Sequence, residues 1–135
     1  MSACSPAEQQ HGDGQPTVMV VEDVLLVRHL VAGYLRECGF RVIEAISADE
    51  AIRLLETEVT SVDLVFADIN MPGTVDGFGL AQWTQQNRSN IKVVLGSGMS
   101  GIGEKAAALC HEGPIISKPY DLRKLEHRLR HILDS

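Results

Sequence analysis

The sequence predicts one α/β domain, a doubly wound (βα)5 parallel sheet covered by helices on both faces. Three observations lead there. Five short apolar runs recur along the 135 residues, and segments with apolar positions at helical spacing separate them, the alternation expected of βαβ construction. The run Leu64-Val65-Phe66-Ala67 is apolar at consecutive positions, as a strand covered on both faces should be. Every connection is long enough for a crossover, so neighbouring strands run parallel.

Residues 1–16 mix Ser, Pro, Glu, Gln, His, Gly and Asp with few apolar side chains, and are expected to form a disordered arm ahead of a domain spanning 17–135. Thr17 to Val21 reads as the first strand and ends on Glu22-Asp23. A helix follows, with Val27, Leu30, Val31 and Tyr34 expected on its inner face and Gly39 as its stop. Arg41 to Glu44 is a short second strand. Ser47-Ala48-Asp49-Glu50 has the spacing of a capping box and opens a helix to about Glu58, with Ala51, Leu54 and Leu55 expected inward. The third strand ends on Asp68. Pro72 and Gly73 then force a loop, and Asp76-Gly77 marks the entry to a helix reaching about Gln86.

Ile91 to Leu95 is the fourth strand, ending at Gly96-Ser97-Gly98. A glycine-punctuated helix is expected over 102–111, a fifth strand over 113–117 ending on Lys118-Pro119, and a last helix from Asp121 to about Leu133, with Leu122, Leu125, Leu129 and Ile132 on its inner face. With right-handed crossovers and the first strand near the middle, the strand order becomes the flavodoxin-like 2-1-3-4-5.

Composition narrows the function. The formal net charge is −6, which argues against nucleic-acid binding through the whole surface. No apolar run approaches the roughly 20 residues needed to cross a bilayer, and the N-terminus lacks the order of a secretory signal, so a cytoplasmic protein is expected. Cys4, Cys38 and Cys110 show no C-x-x-C spacing, and reduced, packed thiols are expected. His11 and His29 have no companions at ligand spacing and read as solvated or packing residues.

In an open parallel sheet, ligands bind outside the carboxyl ends of the strands. Alone, Asp68 could simply cap a loop. That same edge, however, should also carry Glu22, Asp23, Ser97 and Lys118. Carboxylates gathered there repel by up to about 4 kcal/mol per close pair at an effective dielectric near 20, so the cluster calls for a cation. Oxygen ligands with open coordination positions suit Mg²⁺, which accepts a phosphate oxygen readily. Asp68 can then act as a nucleophile toward an activated phosphoryl group, with Lys118 and Ser97 stabilising its equatorial oxygens.

Val21-Glu22-Asp23, Asp68-x-Asn70-Met71-Pro72-Gly73 with Asp76-Gly77, Ser97-Gly98 and Lys118-Pro119, in that order, closely resemble the receiver domain of two-component response regulators from about Thr17 to Leu133. The resemblance implies that Asp68 is the phosphoacceptor, Asp23 a direct Mg²⁺ ligand, Glu22 a ligand through water, and Asn70 a ligand through its backbone carbonyl. It implies that Ser97 binds phosphate and begins the switch, that Lys118 pairs with the phosphoryl oxygens, and that Lys118-Pro119 is a cis peptide. A sensor histidine kinase or phosphotransfer protein would be the donor, and the module would be a signalling phosphoacceptor, not a dedicated enzyme. Ser-Gly followed by Lys-Pro-Tyr is similar to receivers that stand alone or are attached to hybrid kinases.

One position departs from the family pattern. Ile115 stands where an aromatic switch residue is usual, so movement of the loop after the fourth strand and of helix 102–111 is expected to carry the signal. Tyr120 is expected to be a packed aromatic or a substitute reporter. With no effector domain expected after the last helix, output would be a protein contact or a phosphate sink, without specific DNA recognition. The basic last helix, with Arg123, Lys124, Arg128 and Arg130, fits either a solvated face or a docking surface. A rival reading takes Gly96-Ser97-Gly98-Met99-Ser100-Gly101 as a dinucleotide-binding G-x-G-x-x-G. Its place on the fourth strand, and Lys118 where a ribose-binding acid belongs, argue against it.

Overall fold

The computed structural model describes residues 15–57, 61–97, 116–117 and 120–134. The elements run β1 (Thr17–Val21), α1 (Leu25–Glu37), β2 (Arg41–Ala45), α2 (Ala48–Thr57), β3 (Leu64–Asp68), α3 (Gly77–Asn87), β4 (Lys92–Ser97), β5 (Ile116–Ser117) and α4 (Leu122–Leu133). All strand pairs are parallel and the order is β2-β1-β3-β4-β5, as the alternation predicts. The helix expected at 102–111, Ile115, and most of the expected N-terminal arm lie outside the described residues. Among the described residues no helix is long and apolar enough to cross a membrane.

The period of two along each strand divides the core in two. Val18, Val20, Leu64, Phe66 and Val94 point to one face, where they meet Val31 and Leu35 of α1 and Leu125, Leu129 and Ile132 of α4. Met19, Val21, Val65, Ala67, Val93 and Leu95 point to the other, against Ala51 and Leu55 of α2 and Leu80 and Ala81 of α3. Each buried Val or Leu contributes about 1.5–3 kcal/mol, so both layers are needed to hold the central strands.

Helices α2, α3 and α4 begin where side chains can cap them, whereas α1 follows Val24 without a side-chain cap. Ser47 Oγ accepts from Glu50 N at 3.1 Å, the cap bond that the spacing predicts, while Glu50 Oε1 reaches one residue beyond the box and accepts from Ile46 N at 2.8 Å. Asp76 and Asp121 cap α3 and α4 by accepting from Gly79 N and Lys124 N.

Three expectations are corrected. Leu30 and Leu54 are exposed, while Val31 and Leu35 of α1 and Ala51 and Leu55 of α2 do the burying. Both helices carry apolar residues around more than one face, and packing against the sheet selects which stripe goes inward. Strand β4 runs through Ser97, two residues past the expected end, because Gly96 pairs with Asp68 across the sheet. Cys38 is buried and disulfide-bonded, where the sequence predicts a reduced thiol. Spacing motifs report sites made by sequence neighbours and are silent about a single bridge between distant segments.

Candidate functional site

The register of the sheet assembles the site. Val21 pairs with Ala67 and Ala67 with Leu95, so the next residues, Glu22, Asp68 and Gly96, share one row at the carboxyl edge. Asp23 follows on the loop into α1. One carboxylate oxygen from each of Glu22, Asp23 and Asp68 lies within 4.8 Å of the others. Glu22 and Asp68 are buried and Asp23 is exposed.

Local bonds hold these groups in place. Glu22 N donates to Ala45 O at 3.1 Å, and Glu22 Oε2 accepts from Val24 N at 3.1 Å. Asp68 Oδ1 accepts from Asn70 N at 3.2 Å, which limits rotation of the carboxylate. The loop beyond it is tied at both ends. Gly77 N donates to Ile69 O at 3.0 Å, and Asp49 on α2 accepts from Thr74 Oγ1 at 2.7 Å. A Cβ at Gly77 would lie 2.5 Å from Asp68 O and 2.6 Å from Ile69 Cα. Only glycine lets α3 start this close to the strand end.

A set of three carboxylates, one open to solvent, fits a hard, oxygen-seeking dication that keeps part of its water shell. Soft or nitrogen-seeking metals have no matching donor here, since neither Cys nor His joins the cluster among the described residues. Without a cation the three charges repel, least for Asp23 where water screens it. Asp23→Asn should therefore melt above wild type in EDTA and lose that advantage when Mg²⁺ is added. A melting temperature below wild type in EDTA would contradict the repulsion argument.

Of the remaining site residues expected from the sequence, Asn70 sits two residues past Asp68 on the loop, Ser97 is the last residue of β4, and Lys118 lies outside the described residues. Sequence reasoning left Tyr120 between two roles, and the structure shows its packing. Its ring meets Phe66 edge-on at 5.2 Å, and a Cβ at Gly96 would overlap its hydroxyl. The first glycine of the G-x-G-x-x-G pattern thus makes room for a tyrosine. Burial, and then the charges of Asp68 and Glu22, push the Tyr120 phenol far above its ordinary range. No motif signals this contact, because it joins residues 24 apart through tertiary packing.

Comparison with known proteins agrees with this geometry. A family model described as the response regulator receiver domain matches residues 18–130. The chain is 29% identical over 120 residues to the autoinducer 1 sensor kinase/phosphatase LuxN of Vibrio campbellii, covering 89% of this chain and 14% of that protein. It is 30% identical to the receiver domain of NtrX from Brucella abortus, with a TM-score of 0.76 over 87% of this chain and 98% of that one. The response regulator TrrA of Thermotoga maritima, solved with Mg²⁺ and BeF, superposes with a TM-score of 0.78 at 22% identity, covering 87% of this chain and 99% of that one. The chain spans half or less of the length of the curated relatives it matches.

Proposed function

Because the chain belongs to the response regulator receiver domain family, a signalling module of two-component systems, we propose that Asp68 accepts a phosphoryl group from a phosphohistidine in a Mg²⁺-dependent reaction. The observation that carries this reading is the convergence of Glu22, Asp23 and Asp68 within 4.8 Å at the carboxyl edge of the sheet. Asp23 and Asp68 would hold the ion directly, Glu22 through water and Asn70 through its carbonyl. The ion would supply charge neutralisation for the transferring group.

The rest is the work of the chain's own residues. The bond from Asn70 N orients the Asp68 carboxylate, whose second oxygen attacks phosphorus. As that oxygen–phosphorus bond forms, the phosphorus–nitrogen bond to the donor imidazole breaks and nitrogen leaves with the electron pair. Ser97 and Lys118 would meet the equatorial oxygens as charge spreads over them. Mass measurement of the intact protein after incubation with acetyl phosphate tests the proposal. One added phosphoryl group in Mg²⁺, and none in EDTA, is the expected result; equal labelling in EDTA would overturn it.

The partner reading rests on a surface. Val24, Leu25, Leu26 and Leu30 at the start of α1, and Ile46 beyond β2, are large apolar side chains left exposed, Leu26 at 79%. They begin immediately after Asp23, at the rim that a protein delivering phosphohistidine to Asp68 must cover. An apolar patch bordering a polar site is what a protein contact requires. Leu26→Glu combined with Leu30→Glu should slow transfer from a phosphohistidine protein by about tenfold or more. Labelling by acetyl phosphate, which needs no docking, should be unchanged; equal slowing with both donors would argue against a docking role. Output would follow from rearrangement after β4, reaching a protein partner or ending in a phosphate sink without specific DNA recognition.

A further inference from the structure

We infer that Arg28 is a positioning residue for the metal site: its guanidinium holds the Glu22 backbone against β2 and thereby sets the affinity for Mg²⁺. The inference rests on the functional reading above and adds a residue to it.

Among the bonds to described residues, three hold Glu22. Its N–H donates to Ala45 O, its Oε2 accepts from Val24 N, and its carbonyl accepts from Arg28 Nη1 at 3.0 Å. Of these three, only the last is made by the side chain of another residue, so mutation can remove it while leaving Glu22 itself intact. Arg28 is itself braced. Its Nε lies 3.2 Å from Glu44 Oε1, and its side chain is 12% exposed. Glu44 presents its other oxygen to Arg36 Nη1 at 3.0 Å, and Arg36 Nη2 donates to Val42 O at 3.1 Å. The result is a line of alternating charges along the α1/β2 edge that ends on the carbonyl of a cluster residue. A planar guanidinium suits this place because one fork serves two acceptors in fixed directions.

The sign of the effect separates positioning from simple charge. A cation beside the cluster opposes binding of a second cation, so if charge were the whole story, removing Arg28 would tighten Mg²⁺ binding. If Arg28 acts by orienting Glu22, removing it must weaken binding despite the relief of repulsion. The positioning effect should dominate, because Glu44 already serves as a counter-ion to the guanidinium, while loss of a residue supporting a metal ligand commonly costs 10- to 100-fold in affinity.

The test is titration calorimetry of the full chain with MgCl₂, with thermal melts in EDTA to verify folding. Arg28→Met, which keeps bulk without donors, should raise the Mg²⁺ Kd about tenfold or more. Arg28→Lys, which keeps charge but lacks the planar fork that fixes two donor directions, should fall between, and it carries the test if the methionine variant fails to fold. In a Glu22→Gln background, where the charged ligand is already gone, Arg28→Met should have much less effect. Unchanged or tighter binding by Arg28→Met, wild-type affinity in Arg28→Lys, or an undiminished loss in the Glu22→Gln background would each overturn the inference. A wild-type chain that binds no Mg²⁺ would instead remove the functional reading beneath it.

Discussion

Asp68→Asn should take up no phosphoryl group from either acetyl phosphate or a phosphohistidine protein. The amide is nearly isosteric and can still accept from Asn70 N, so the loop geometry survives. Its oxygen, however, carries no full negative charge and is a far poorer nucleophile. The loss cannot be blamed on folding. Removing one charge from a cluster held within 4.8 Å relieves repulsion, and the variant should melt at or above wild type in EDTA. Intact-mass measurement of both proteins with each donor decides the matter. Labelling of Asp68→Asn at the wild-type rate would move the phosphoacceptor elsewhere.

Arg130→Met should destabilise the fold by about 3–5 kcal/mol, the cost of leaving a buried charge without its partner. Glu126 of α4 is 0% exposed, and its Oε2 lies 2.9 Å from Arg130 Nε. Arg130 Nη2 also donates to Cys38 O, past the end of α1, and the guanidinium lies 4.2 Å from the centre of the Phe40 ring. One side chain therefore neutralises a buried carboxylate, caps a helix end and stacks on an aromatic. For a chain of this length the change should lower the melting temperature by roughly 10 °C or more. Replacing Glu126 as well, with Glu126→Leu in the Arg130→Met background, should recover much of the loss, since an apolar pair often matches a buried ion pair. Urea unfolding of the four proteins in the cycle measures the coupling; a penalty for Arg130→Met below about 1 kcal/mol would refute this account.

The same residues show how far sequence reaches. Arg130 reads in sequence as one of four basic residues on a solvated or docking face, and in the structure it is a half-buried tie between α4 and α1. Nothing at i±3 or i±4 announces Cys38 or Phe40, which lie some ninety residues away. Leu30 reads as core because α1 has apolar residues at several helical offsets, yet it faces solvent at 61% exposure.

What the sequence determined by itself was the alternation of elements, the strand order, and the identity of the acids that end β1 and β3. These follow from local chemistry: a run of β-branched and apolar residues must be buried, Pro and Gly must break it, and a carboxylate placed just past a buried strand must sit at the sheet edge. Tertiary structure alone decided that Tyr120 closes over Gly96, that Arg28 grips Glu22, and that α1 leaves Leu25, Leu26 and Leu30 outside while burying Leu35. Each of these depends on parallel register and on which helix face the sheet accepts. Those are set by packing between segments far apart in the chain, where no short-range periodicity carries the information.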